Sequence, residues 1–182
     1  PIQSDFRKKY QIENKFIILG VASSWAPRKG LDVFVKLAED LPEEYQIVIV
    51  GIDEREKNKL PETIISITRT NNQKELAEIY SVADVFVNPT REENFPTTNI
   101  EALACGTGVI TYRTGGSPEI IDQETGVVVE KDNYDELKQA IFKVKKDGTF
   151  SKEKCRNRSM KYSRDERYKE YVELFESILE GR

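Results

Sequence analysis

Six short apolar runs, set apart by longer polar or amphipathic stretches, constrain this chain more than any other feature. They are Phe16 to Val21 (FIILGV), Tyr45 to Val50 (YQIVIV), Ile64 to Thr68 (IISIT), Asp84 to Asn88 (DVFVN), Thr107 to Thr111 (TGVIT) and Thr125 to Val129 (TGVVV). Near-continuous runs of this length, without polar–apolar alternation, mark strands buried on both faces, as in parallel sheets. The intervening segments carry helical spacing. Leu31, Phe34, Val35 and Ala38 share one face of a helix that reaches about Glu39, and Leu76, Ile79 and Tyr80 share one over Lys74 to Val82. Parallel neighbours need crossover connections, and these are right-handed. The expected fold is therefore α/β, a doubly wound sheet of six strands, all or mostly parallel, with helices on both faces. Residues 1–15 read as a lead-in helix or arm, and residues 53–60 as a short surface helix. Further helices are expected from Tyr134 to about Val144, from about Ser151 and from about Ser163. The last has Tyr168, Tyr171, Val172, Phe175 and Leu179 at helical spacing, and is expected to pack back over the domain or over a missing neighbour.

In such sheets ligands bind beyond the carboxyl ends of the strands, where the strand order reverses. The loops after Val21, Thr68, Asn88 and Tyr112 are therefore the candidates. The first contains Gly20-Val21-Ala22-Ser23-Ser24-Trp25, which is not the G-x-G-x-x-G of dinucleotide sites, and the chain has no G-x-x-x-x-G-K-[ST] loop. It offers Arg28-Lys29-Gly30, read as the start of a helix. Two cations in a first helical turn oppose the macrodipole, which makes sense where an anion is shared between them and the helix terminus. A solvated basic pair is the alternative. The fourth run stops at Asn88-Pro89, since proline has no N–H to give a ladder. Glu92 and Glu93 follow on a loop, Pro96-Thr97-Thr98 open a helix, and Gly106 closes it. Strand, charged loop and helix start in that order form an anion site. Glu101, expected in the first turn, also fits a capping box with Thr98, and Glu93 also fits a solvated loop charge. Asn94 and Gly115-Gly116 suit a sharp turn or a close approach of backbone to ligand.

Composition narrows the chemistry. The chain has no histidine, so the commonest general base is missing, and catalysis from these residues must rest on carboxylates, cations and backbone dipoles. A net charge of −4 argues against nucleic acid as a general partner. Cys105 and Cys155 stand far apart and match no metal spacing, which suits a reducing, cytoplasmic setting. No apolar run approaches the ~20 residues of a membrane span. The 182 residues suffice for one domain, and a chain beginning Pro1-Ile2 without methionine reads as a piece excised from a larger protein.

The ordered set RKG, ADVFVNPT, E-N-F-P-x4-E-A-L-A-C-G and TGG-x-P-E resembles the retaining nucleotide-sugar glycosyltransferases of the GT-B fold. More narrowly it is similar to the C-terminal, donor-binding domain of the group 1 family that builds bacterial polysaccharides, whose sheet is Rossmann-like. The resemblance runs from about Phe16 to the last helix. It implies that Lys29 binds the donor diphosphate, that Glu101 hydrogen-bonds the ribose hydroxyls, and that Glu93 faces the transferred sugar. Lys29 and Glu93 are thus the candidate catalytic residues. Arg28, Phe95, Thr97, Thr98 and Gly116 join them as donor-binding residues, and Arg69, within Ile67 to Thr70, would line the base pocket. Many relatives carry an arginine five residues before the lysine. This chain has Ser24 there, and Arg28 is the candidate substitute. Where relatives often read E-G-F-G, this chain has Asn94 and Pro96, and Pro96 has no amide to donate.

The resemblance implies sugar transfer with retention onto a glycan or lipid-linked saccharide, and no metal or other cofactor. The implied partners are a nucleotide-sugar and a missing N-terminal acceptor-binding domain, with the whole protein cytoplasmic and possible at the inner membrane face. A half-domain of a sugar-nucleotide epimerase and a non-catalytic nucleotide-binding module are the alternatives.

Overall fold

A computed structural model of the chain describes residues 2–181; Pro1 and Arg182 lie outside the described residues. The strands are β1 (Phe16–Val21), β2 (Tyr45–Val50), β3 (Ile65–Ile67), β4 (Val85–Asn88), β5 (Val109–Tyr112) and β6 (Gly126–Val129). They pair in the order β3-β2-β1-β4-β5-β6, and every pairing is parallel. The expected six-stranded α/β sheet is therefore present. Its order reverses between β1 and β4, since the chain builds outward from β1 to β3 and then returns to the other side.

The apolar runs are continuous because both faces of the sheet are covered. Along β1, Phe16 and Ile18 enter one core with Phe34, Leu37, Ile110, Tyr112 and Ile141. Ile17 and Leu19 enter the other with Val48, Tyr80, Phe86, Leu103 and Val109. Successive side chains point to opposite faces, so a strand between two helical layers needs apolar residues at every position. Fully burying each large side chain contributes roughly 1.5–3 kcal/mol relative to exposure.

The helices are α1 (Phe6–Lys9), α2 (Leu31–Asp40), α3 (Glu54–Lys57), α4 (Gln73–Val82), α5 (Thr97–Ala104), α6 (Ser117–Ile120), α7 (Tyr134–Asp147), α8 (Lys152–Met160) and α9 (Arg164–Leu179). Asn72, Asn133, Ser151 and Ser163 cap α4, α7, α8 and α9 by accepting from the amide three residues on.

Three local expectations change. Arg28 and Lys29 do not open α2. They lie in a separate 3-10 turn, Pro27–Lys29, which Gly30 breaks at φ +75° before α2 begins at Leu31. The acid in the first turn of α2 is Asp32, in accord with the macrodipole. Glu101 is not in the first turn of α5. The helix starts at Thr97 after Pro96, has no side-chain cap, and places Glu101 fifth, so the capping box with Thr98 does not form. Finally, α9 does not pack back over the domain. It contributes no buried residue, and Tyr168, Tyr171, Val172, Phe175 and Leu179 are exposed.

Candidate functional site

At the reversal of strand order, the carboxyl ends of β1 and β4 part around a cavity of about 180 Å³. Its walls come from the β1–α2 loop (Ser23, Trp25, Lys29), the end of β4 (Asn88, Pro89), the following loop (Glu93, Phe95) and the start of α5 (Thr97, Thr98). The parallel order brings the β1–α2 loop, distant in sequence, against the continuous stretch from the end of β4 to the start of α5.

The centre of the site is one ion pair. Lys29 Nζ donates to Glu93 Oε2 at 2.7 Å, with the side chains 24% and 16% exposed. The ammonium has three N–H donors and this bond uses one. Glu93 Oε1 accepts from the Asn94 amide at 3.1 Å, which turns the carboxylate back over its own loop. The amino end of α5 lines the same cavity. The Thr97 and Thr98 amides are the first two of the helix, so no intrahelical partner exists for them. The ammonium, paired with Glu93, and the helix terminus are the groups of this cavity that could meet an anion.

The loop that carries Glu93 is held from behind by two glycines. Gly115 adopts φ +47°, and a Cβ there would lie 1.8 Å from the Glu93 carbonyl oxygen. The Gly116 amide donates to the Asn94 carbonyl at 2.6 Å, and a Cβ at Gly116 would lie 2.5 Å from the Phe95 ring. The close approach foreseen at these glycines is thus made by protein backbone. Phe95, 40% exposed, packs on Tyr162 with ring centroids 5.7 Å apart.

Of the sequence candidates, the structure brings Lys29, Glu93, Phe95, Thr97 and Thr98 to one cavity. Arg28 lies at its margin, exposed, with Nη1 donating to the Glu92 carbonyl at 3.2 Å. Gly116 supports the loop and does not line the cavity. Arg69 borders a separate depression with Asn71 and Leu76. Glu101 is exposed on α5, where its Oε2 accepts from Tyr80 Oη at 3.1 Å. Burial first, then the Glu101 charge, pushes the Tyr80 phenol well above its ordinary pKa, so it remains a donor.

Trp25, Asn88 and Asn99 were not foreseen. Trp25, the chain's single tryptophan, forms one wall and anchors by donating from Nε1 to the Val50 carbonyl at 3.1 Å. Its place after the first strand was the available signal. Asn88 donates to Asn99 Oδ1 at 2.8 Å, linking β4 to α5, while the buried Asn99 Nδ2 has no partner. No sequence pattern marked that pair.

A larger cavity, about 510 Å³, opens at the opposite, amino end of the sheet. Its Arg7 is already bonded to Asp84 and to the Lys15 and Val82 carbonyls, so size does not make it the better site. Among the described residues no group of three or more His, Cys, Asp or Glu is placed to hold a metal ion, and no helix is long and apolar enough to cross a membrane.

Residues 2–166 match the family described as Glycosyl transferases group 1. The chain is 27% identical over 189 aligned positions to the alpha-galactosylglucosyldiacylglycerol synthase of Streptococcus pneumoniae, covering 90% of this chain and 46% of that protein. Its fold is similar to that of a sucrose-phosphate synthase from Thermosynechococcus elongatus, with TM-score 0.79 and 23% identity over 98% of this chain and 49% of that one. Anabaena HepE, solved with UDP-glucose, superposes with TM-score 0.74 and 17% identity over 86% of this chain and 46% of that one. The chain thus spans less than half the length of these relatives. The order of its motifs, the parallel sheet with its reversal at the Lys29–Glu93 cavity, and the match over residues 2–166 agree: the chain belongs to the group 1 glycosyl transferases.

Proposed function

We propose that this chain is the donor-binding part of a retaining glycosyltransferase, and that the cavity between β1 and β4 receives the diphosphate and sugar of a nucleotide-sugar. The observation that carries the reading is that the Lys29–Glu93 pair and the amino end of α5 line one cavity at the point where the strand order reverses. The UDP-glucose bound to a neighbour of the same fold supports the ligand class. The name of the pneumococcal relative supports a sugar-bearing lipid as one class of acceptor.

In this reading the leaving group is a nucleoside diphosphate, and its charge grows as the sugar departs. The two unused donors of Lys29 and the α5 terminus meet that charge with dipoles already in place, the economical way to stabilise a transition state. Pro96 has no N–H, so the anion contacts fall to the Thr97 and Thr98 amides. Glu93, which lines the cavity, faces the transferred sugar. Phe95 and Trp25 exclude water around it. Glu101 takes the ribose hydroxyls, with Tyr80 fixing one carboxylate oxygen. Gly116 acts through the loop it supports, and Arg28 reaches the outer phosphate. Arg69 borders the base site, across the loop after β3. No metal or other cofactor is invoked. The acceptor, and the domain that binds it, belong to the rest of a longer cytoplasmic protein, which can approach the inner membrane face.

The first test is calorimetry of the 182-residue chain with UDP, GDP and ADP at millimolar concentration. Weak, measurable binding of at least one is expected; three flat titrations would overturn the reading. For retention, the anomeric configuration of the product made by the whole enzyme is read by NMR, and inversion would refute that part alone.

A further inference from the structure

The Pro27–Lys29 turn is three residues long, and the loop carrying Glu93 is irregular, yet their charges meet at 2.7 Å. One side chain ties both to the rest of the domain. From the β4–α5 loop, Arg91 donates through Nη1 to the Pro27 carbonyl at 3.0 Å. The same guanidinium grips both oxygens of Asp32, at 2.8 and 2.7 Å, in the first turn of α2. Its Nε reaches Asp132 at 2.6 Å, a residue of the β6–α7 loop held at φ +61°. The Arg91 amide also donates to the Arg28 carbonyl at 2.7 Å, and the Thr90 hydroxyl reaches that same oxygen.

The cluster contributes only modestly to stability. Asp32 and Asp132 are 65% and 50% exposed, and exposed pairs contribute about 0–1 kcal/mol. Holding an arginine in one rotamer costs up to about 2 kcal/mol of side-chain entropy. What the fork does well is fix geometry, because its planar donors constrain three segments at once.

We propose that Arg91 is a positioning residue for the anion cavity. It locks the turn carrying Lys29 against the segment carrying Glu93, and so sets the direction in which the ammonium presents its remaining donors. The proposal rests on the reading of Lys29 as a diphosphate ligand. It differs from a structural role in one respect: the loss must fall on the phosphate part of the ligand alone.

The test uses the 182-residue chain titrated with UDP and with uridine, read by calorimetry and by the fluorescence of Trp25, the sole tryptophan and a wall of the cavity. Arg91→Ala is expected to weaken UDP about tenfold, equivalent to about 1.4 kcal/mol, and to leave uridine unchanged. Arg91→Lys keeps the charge and loses the fork, so it should stay within about threefold of Arg91→Ala. In a Lys29→Ala background, Arg91→Ala should add less than about twofold, because groups acting through one contact are not additive. Should Arg91→Ala fail to fold, Asp32→Ala and Asp132→Ala each remove one arm at an exposed position, and at least one must weaken UDP selectively. Unchanged UDP affinity, an equal loss for uridine, or full additivity with Lys29→Ala overturns the proposal. If Lys29→Ala alone leaves UDP binding intact, the diphosphate reading itself fails. If it weakens UDP while Arg91→Ala does not, only the role of Arg91 falls.

Discussion

Replacing Lys29 by alanine separates a ligand from a structural ion pair, because the two roles differ in where the free energy is lost. The Lys29–Glu93 pair lies between the exposed and the buried regimes, at 24% and 16% side-chain exposure. Exposed pairs contribute about 0–1 kcal/mol, whereas stranding the partner of a fully buried pair costs about 3–5 kcal/mol. Glu93 retains its Asn94 amide bond and some solvent, so the stability cost should lie near 1–2 kcal/mol. In a chain of this size that is a fall in Tm of roughly 2–8 °C. A diphosphate that loses a charge-assisted bond loses about 1.5–3 kcal/mol of affinity, or roughly 10- to 150-fold. Calorimetry with UDP at 25 °C, with the variant shown folded by circular dichroism, measures the second quantity. Glu93→Gln is the paired experiment. It also breaks the ion pair, but it removes a negative charge beside the anion and frees Lys29, so UDP should bind as well or better. If Lys29→Ala and Glu93→Gln weaken UDP alike, the pair merely holds the loop and Lys29 is no ligand.

Three further outcomes follow from other parts of the site. Glu101→Gln leaves an acceptor for the Tyr80 phenol, so Tm should hardly move; UDP should weaken by about 1–3 kcal/mol, with 2′,3′-dideoxy-UDP binding wild type and variant alike, and equal losses for the two ligands would remove Glu101 from the ribose. Gly115→Ala places a methyl 1.8 Å from the Glu93 carbonyl at φ +47°. The left-handed backbone alone costs about 1–2 kcal/mol, so a fall in Tm with loss of UDP binding is expected, and a neutral result would show that the loop does not need that approach. The bonds from Arg91 hold the Asp32 carboxyl below its ordinary value. Its contribution to stability is therefore present above the unfolded value of about 3.9 and is lost as pH falls through the lower folded value. Urea midpoints should converge for wild type and Asp32→Asn below about pH 4, and parallel curves down to pH 2 would contradict this.

The sheet was legible because its signal is local and repeated. Each apolar run reports burial on both faces by itself, and the parallel arrangement follows from the crossover lengths. The lining of the candidate site was legible where one segment contained the signal, as in Asn88-Pro89, Glu93 and the helix start at Thr97. What misled was punctuation at one-residue resolution. Gly30 in the left-handed region separates Arg28 and Lys29 from α2, and Pro96 starts α5 without a cap, so Glu101 falls two residues deeper than a capping box requires. Both errors share a cause: glycine and proline signal a boundary without saying on which side of it the functional residue lies. The contacts that no reading of the sequence supplied are those between distant segments. Arg91 belongs to no motif in the sequence, and its contacts depend on Pro27, Asp32 and Asp132, which only the folded sheet places around it. In this chain the charged groups that line the cavity were visible in the sequence, whereas the Arg91 contacts behind them were not. A ligand residue must be of a particular chemical type, but a residue that holds it in place needs only a partner, and partners are fixed by topology.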